Sequence, residues 1–148
     1  MLKVNEPRIV DSLLGRRQVE MAISCLASLI AHSADPIRLR LRDDGTLGEV
    51  DRERLAAALA TPGGAPSFVS RAEADDLAAP WLARRPALAL ARRDHPLFLK
   101  LVDLAIPAAG DEIAYCDADV LFLRPFSGLF RFPSLAAGAV LMSDVQNA

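Results

Sequence analysis

The chain reads as an α/β protein, a three-layer sandwich around a mostly parallel sheet, and three observations lead there. Short apolar runs of strand length alternate with segments whose apolar residues recur every three or four positions, in the order β-α-β-α-β-α-α-β. Clusters of Gly, Pro and Asp separate them. With 148 residues, 52% of them apolar, the chain is long enough for one domain with a sizeable core.

The first strand is expected over 9–14, Ile-Val-Asp-Ser-Leu-Leu, ending at Gly15 and the basic pair Arg16 and Arg17. Val19, Ile23, Leu26 and Ile30 then keep helical spacing, predicting an amphipathic helix to about His32, stopped by Ala34-Asp35-Pro36. Residues 37–42 alternate strictly, with Ile37, Leu39 and Leu41 on one face and Arg38, Arg40 and Arg42 on the other. Such a charged face places this strand toward a sheet edge with its arginines in solvent. Thr46 and Glu49 have capping-box spacing, so a helix is expected from there to about Leu59. A loop over 61–66 leads to a third strand over 67–70. A helical segment interrupted by Pro80 covers 71–85, with Trp81 as a packing residue. Asp94 is placed to cap a helix that has Pro96 in its first turn and runs over 97–105, burying Leu97, Leu101 and Leu104. A fourth strand, 113–116, ends at Asp117-Ala118-Asp119.

A formal net charge of −2 argues against nucleic acid or an acidic membrane as the main partner. Cys25 and Cys116 stand in apolar contexts without metal-type spacing and read as reduced thiols. The polar start of the chain lacks the apolar stretch of a signal peptide, and no segment is long enough to span a bilayer. A soluble, cytoplasmic protein is expected, with peripheral membrane association left open.

Asp117 and Asp119 interrupt an otherwise apolar run, and a buried carboxylate needs a partner: a cation, a proton or a hydrogen-bond donor. With 13 Asp in the chain, chance alone gives about one Asp-x-Asp, so the bare motif carries no weight. Context carries more. Ligands of parallel sheets bind beyond the carboxyl ends of the strands, where both Asp43-Asp44 and Asp117-Ala118-Asp119 are expected to lie. Turn and cap roles are the simpler alternatives: Asp117 and Asp119 answering Arg124, Asp43 shaping a turn, Lys100 paired with Asp103 on its helix, and His95 purely structural.

The run Ala-Tyr-Cys-Asp-Ala-Asp-Val-Leu-Phe-Leu-Arg-Pro-Phe ending at Phe126 resembles the metal motif of nucleotide-sugar glycosyltransferases of the GT-A, Rossmann-like fold. Ser127-Gly-Leu-Phe130 is similar to the short helical segment that follows it there, and Cys116 stands where leucine is usual. Leu41-Arg-Asp-Asp-Gly-Thr46 is similar to an element after the second strand, and Lys100 matches a basic helix residue 17 positions before the first motif Asp. The resemblance implies Mn²⁺ or Mg²⁺ held by Asp117 and Asp119. It implies a nucleotide sugar, foremost a UDP-sugar, contacted by Asp43, Asp44, Lys100 and Asp117, and an acceptor of unknown kind. It also implies that the fold is incomplete here, the C-terminal acceptor-binding half being absent. A nucleotide-binding or interaction domain without turnover is the main alternative. A haloacid-dehalogenase-type phosphatase fits less well: Arg42 occupies the nucleophile position of the first acidic cluster, and 29 residues follow Asp119 at the second.

Overall fold

The structure, a computed structural model, describes residues 7–105 and 113–130. Among these, three parallel strands, five α-helices and one 3₁₀ turn form an α/β unit. Strand β1 (Arg8–Leu14) pairs in parallel with β2 (Ile37–Asp43) along its whole length, and β2 pairs in parallel with β3 (Ser67–Val69). Helices α1 (Val19–His32) and α2 (Glu49–Ala58) make the two crossovers, and α3 (Arg71–Leu82), α4 (Pro86–Asp94) and α5 (Pro96–Ala105) follow the last strand. No helix among the described residues is long and apolar enough to cross a membrane.

Helix α1 follows its expected bounds because its apolar stripe finds a sheet face to cover. Val19, Ala22, Leu26 and Leu29 are buried against Val10 and Leu14 of β1 and Leu39 and Leu41 of β2, together with Leu55 and Leu59 of the second crossover. Glu20 in its first turn complements the helix dipole, and His32 in its last turn has its Nδ1 2.9 Å from the Ser28 carbonyl.

The opposite face of the sheet departs from expectation. Strand β2 lies between β1 and β3 rather than at an edge, and two of its arginines are not in solvent. Asp11 of β1 stands in register with Arg40, on the same face as Arg42. Arg40 donates to both Asp11 oxygens, from Nε at 2.8 Å and Nη2 at 2.7 Å, and Arg42 Nε donates to Oδ1 at 2.7 Å. Asp11 and Arg42 are only 2% and 4% exposed, so each depends on the other for charge compensation. Arg38, beyond the reach of this cluster, is exposed as expected.

Several local expectations also change. The N-cap of α2 is Gly48, whose N–H donates to Asp51 Oδ2 at 2.9 Å, and Thr46 serves the preceding loop instead. Pro80 lies inside α3 without ending it. Residues 86–94, not expected to be helical as a unit, form α4 with Pro86 in the first turn. Asp94 ends α4 and pairs with Arg93, so it does not cap α5. The buried face of α5 is Leu99, Val102 and Asp103, while Leu97 and Leu101 are 72% and 62% exposed. Asp103 turns that face because Arg92 of α4 donates to both its oxygens, at 2.6 and 3.1 Å, inside the helix cluster. Arg92 also reaches Asp75 of α3 at 2.6 Å, tying the three helices together. Trp81 is half-buried, with the Arg85 guanidinium 4.1 Å from its ring centroid.

The expected fourth strand is reduced to one parallel bridge, Tyr115 beside Asp11. Asp11 N–H donates to the Ala114 carbonyl at 2.9 Å and Cys116 N–H donates to the Asp11 carbonyl at 3.0 Å. This segment therefore lies on the side of β1 away from β2. Beyond it the chain returns along α1. Phe122 N–H donates to Ser28 Oγ at 2.9 Å, and Phe126 bridges Ser33 through bonds to His32 and Ala34. Phe122, Phe126 and Phe130 stack in sequence against the core, with centroids 4.9 and 6.5 Å apart. The segment 127–130 forms a bend and turn around Gly128, at φ +72°, rather than the helical start expected.

Candidate functional site

Because β1, β2 and the Tyr115 segment all run in parallel, Gly15, Asp43-Asp44 and Asp117-Ala118-Asp119 leave the sheet at the same, carboxyl edge. The two acidic clusters flank the end of β1, and no described contact joins them.

Asp43 builds its own loop. Its Oδ1 accepts from Gly45 N–H at 2.7 Å and Leu47 N–H at 3.1 Å, and its Oδ2 accepts from Arg52 Nη2 at 2.8 Å. Burial alone raises its pKa, but the Arg52 hydrogen bond and the two amides outweigh it and hold the carboxyl below its ordinary value. Asp44 Oδ1 accepts from Thr46 N–H at 3.0 Å and Thr46 Oγ at 2.6 Å, while Thr46 Oγ accepts from Arg16 N–H at 2.8 Å. The other Asp44 oxygen rests on Gly15, where an added Cβ would come within 2.1 Å of it. Gly45 turns the loop at φ +103°, in the left-handed region.

At the second cluster, the bridge beside β1 aims the chain outward. Ala118 is buried, which leaves Asp117 half-exposed and Asp119 exposed on either side of it. A 3.3 Å bond from Val120 N–H to the Asp117 carbonyl closes the turn. Asp117 Oδ1 accepts from Tyr115 Oη at 3.0 Å and is paired with the Lys100 ammonium, which lies 5.8 Å from the Tyr115 ring centroid. Lys100 thus reaches Asp117, 17 residues away, and not Asp103, which belongs to Arg92. Among the described residues no hydrogen bond reaches Asp117 Oδ2 or the Asp119 carboxylate, and no ion pair joins either residue to Arg124. Burial first, then the neighbouring Asp117 carboxylate, pushes the Tyr115 hydroxyl upward, so it stays a donor at neutral pH. The same two causes, with Cys25 and Asp119 adding to them, push the buried Cys116 thiol to about 12, so it behaves as part of the core.

No group of three or more His, Cys, Asp or Glu gathers as a metal-type cluster among the described residues. The oxygens left without donors on Asp117 and Asp119 are hard ligands. Such a pair suits a cation like Mg²⁺ or Mn²⁺, which takes one or two protein carboxylates and completes its shell with phosphates and water.

Of the residues singled out from sequence, Lys100 and Asp117 come together, Asp119 stands beside them, and Asp43 and Asp44 form a separate loop on the same edge. His95 is exposed, and it meets its neighbours through backbone bonds and a ring contact with Phe98. Sequence reasoning assigned no role to Tyr115, although its i, i+2 relation to Asp117 at a strand end is the signal that puts both side chains on one face. Gly15 was also missed, and its close approach to Asp44 depends on a non-local fit. No family model matches this chain, and comparison with curated proteins and with solved structures finds no significant match.

Proposed function

We propose that this carboxyl edge binds the diphosphate of a nucleotide sugar, a UDP-sugar foremost. The chain is then the donor-binding half of a metal-dependent glycosyltransferase, built as part of a three-layer GT-A sandwich. The observation that carries the reading is the convergence of Lys100, Tyr115 and Asp117, with Asp119 two residues on, at the edge where parallel sheets bind ligands. Lysine and paired carboxylates together are a donor set for a phosphate bridged to a hard cation.

In this reading Asp119 and Asp117 Oδ2 hold the cation, and Tyr115 orients Asp117 through Oδ1. A divalent cation bound there would supply Lewis-acid neutralisation of the diphosphate leaving group. Lys100 adds a second positive charge toward the phosphates. Asp43 keeps the neighbouring loop in shape, and Asp44, with one oxygen against Gly15, is the carboxylate of that loop set to meet the nucleoside. Isothermal titration of UDP into the chain, with and without Mn²⁺, tests the reading. Metal-dependent binding that Asp119→Ala abolishes is expected. Nucleotide binding that ignores the metal would favour a binding domain without transfer chemistry, and metal-dependent cleavage of an aryl phosphate would favour a phosphatase.

A further inference from the structure

The Lys100–Asp117 contact has a consequence for how such a site would load. Asp117 Oδ1 already carries two donors, the Tyr115 hydroxyl and the Lys100 ammonium. Leu99 and Val102 on either side of Lys100 are buried, so the backbone of α5 is fixed there and only the lysine stem is free to swing. In the same position the ammonium lies 5.8 Å from the Tyr115 ring centroid, so the ring face also attracts it. A divalent cation arriving at the same carboxylate meets a like charge at short range, which weakens its binding until that charge moves or is neutralised.

We infer that Lys100 is a resident counter-ion that holds Asp117 in the absence of a cation and passes to the diphosphate when nucleotide and cation arrive together. This rests on the nucleotide-site reading above. Lys100 then opposes the bare cation and favours the cation with its nucleotide, so that the two ligands load as a unit. It is a positioning residue whose effect has opposite signs for the two ligands. A lysine that merely decorates the surface would affect neither.

The test measures Mn²⁺ binding to the 148-residue chain by electron paramagnetic resonance, first alone and then with UDP. Wild type is compared with Lys100→Met, Lys100→Arg and Asp119→Ala, and the thermal unfolding midpoint of each variant is recorded. Lys100→Met is expected to bind Mn²⁺ alone about fivefold or more tightly, the low end of ordinary coupling between sites. It is expected to lose about tenfold in UDP affinity at saturating Mn²⁺. Lys100→Arg, which keeps the charge, should return both values toward wild type. If wild type binds Mn²⁺ and Asp119→Ala does not, yet Lys100→Met binds it equally or more weakly, the counter-ion role is wrong while the nucleotide site stands. If no Mn²⁺ binds to wild type with or without UDP, the site reading fails and the inference with it.

Discussion

At the scale of single residues, the carboxylates along the carboxyl edge do different jobs, and their surroundings tell them apart. Asp43 has both oxygens occupied by Gly45, Leu47 and Arg52 and is buried, so it is part of the loop's scaffold. Asp119 is exposed and free of donors among the described residues. The lowered pKa of Asp43 makes it a source of stability above the carboxyl's unfolded value, lost as the pH falls through its lower folded value. Asp43→Asn is therefore expected to cost about 1–3 kcal/mol at pH 7 through the weakened Arg52 pair. That difference from wild type should shrink as acid protonates Asp43, from about pH 4 downward. Urea unfolding of both proteins between pH 3 and pH 7 checks this; a gap independent of pH would show that the Asp43 charge does not support the fold.

At the scale of elements, legibility followed the length of the periodic signal. Strand β2 and helix α1 were readable because their apolar positions repeat at a single period and are buried together, and β1 was readable as a short, largely apolar run ending at Gly15. Helices α3, α4 and α5 were less so, because their mutual faces are set by the Arg92, Asp75 and Asp103 cluster, and a charge turned inward looks in sequence like a solvated one. The same blindness hid the Asp11, Arg40 and Arg42 cluster: strand register brings those charges together, and a strand read alone carries no register. The rotated face of α5 has a direct consequence. Leu99→Ala is expected to destabilise the chain by about 2–5 kcal/mol, whereas Leu101→Lys should change it by less than about 0.5 kcal/mol. Thermal or urea unfolding of the two variants decides it, and the reverse order of costs would restore the face centred on Leu97 and Leu101.

At the scale of the whole molecule, parallel pairing brings the ends of β1, β2 and the Tyr115 segment to one edge, and that much of the candidate site was legible from the alternation of strands and helices. The contact from Lys100 to Asp117 was not, because sequence spacing alone could as well have paired Lys100 with Asp103 on its own helix. The fold thus offers a lysine, a tyrosine hydroxyl and two carboxylates at one end of a parallel sheet, with a second acidic loop on the far side of β1. The central claim is that a cation-bound diphosphate belongs at the first of these. Paramagnetic broadening of the backbone amide signals by Mn²⁺ in the presence of UDP tests it most directly. In wild type the signals of Lys100, Tyr115, Cys116, Asp117 and Asp119 are expected to broaden first, and in Asp119→Ala they are expected to stay sharp; broadening centred on the Asp43 to Thr46 loop, or none at either edge cluster, would contradict the claim.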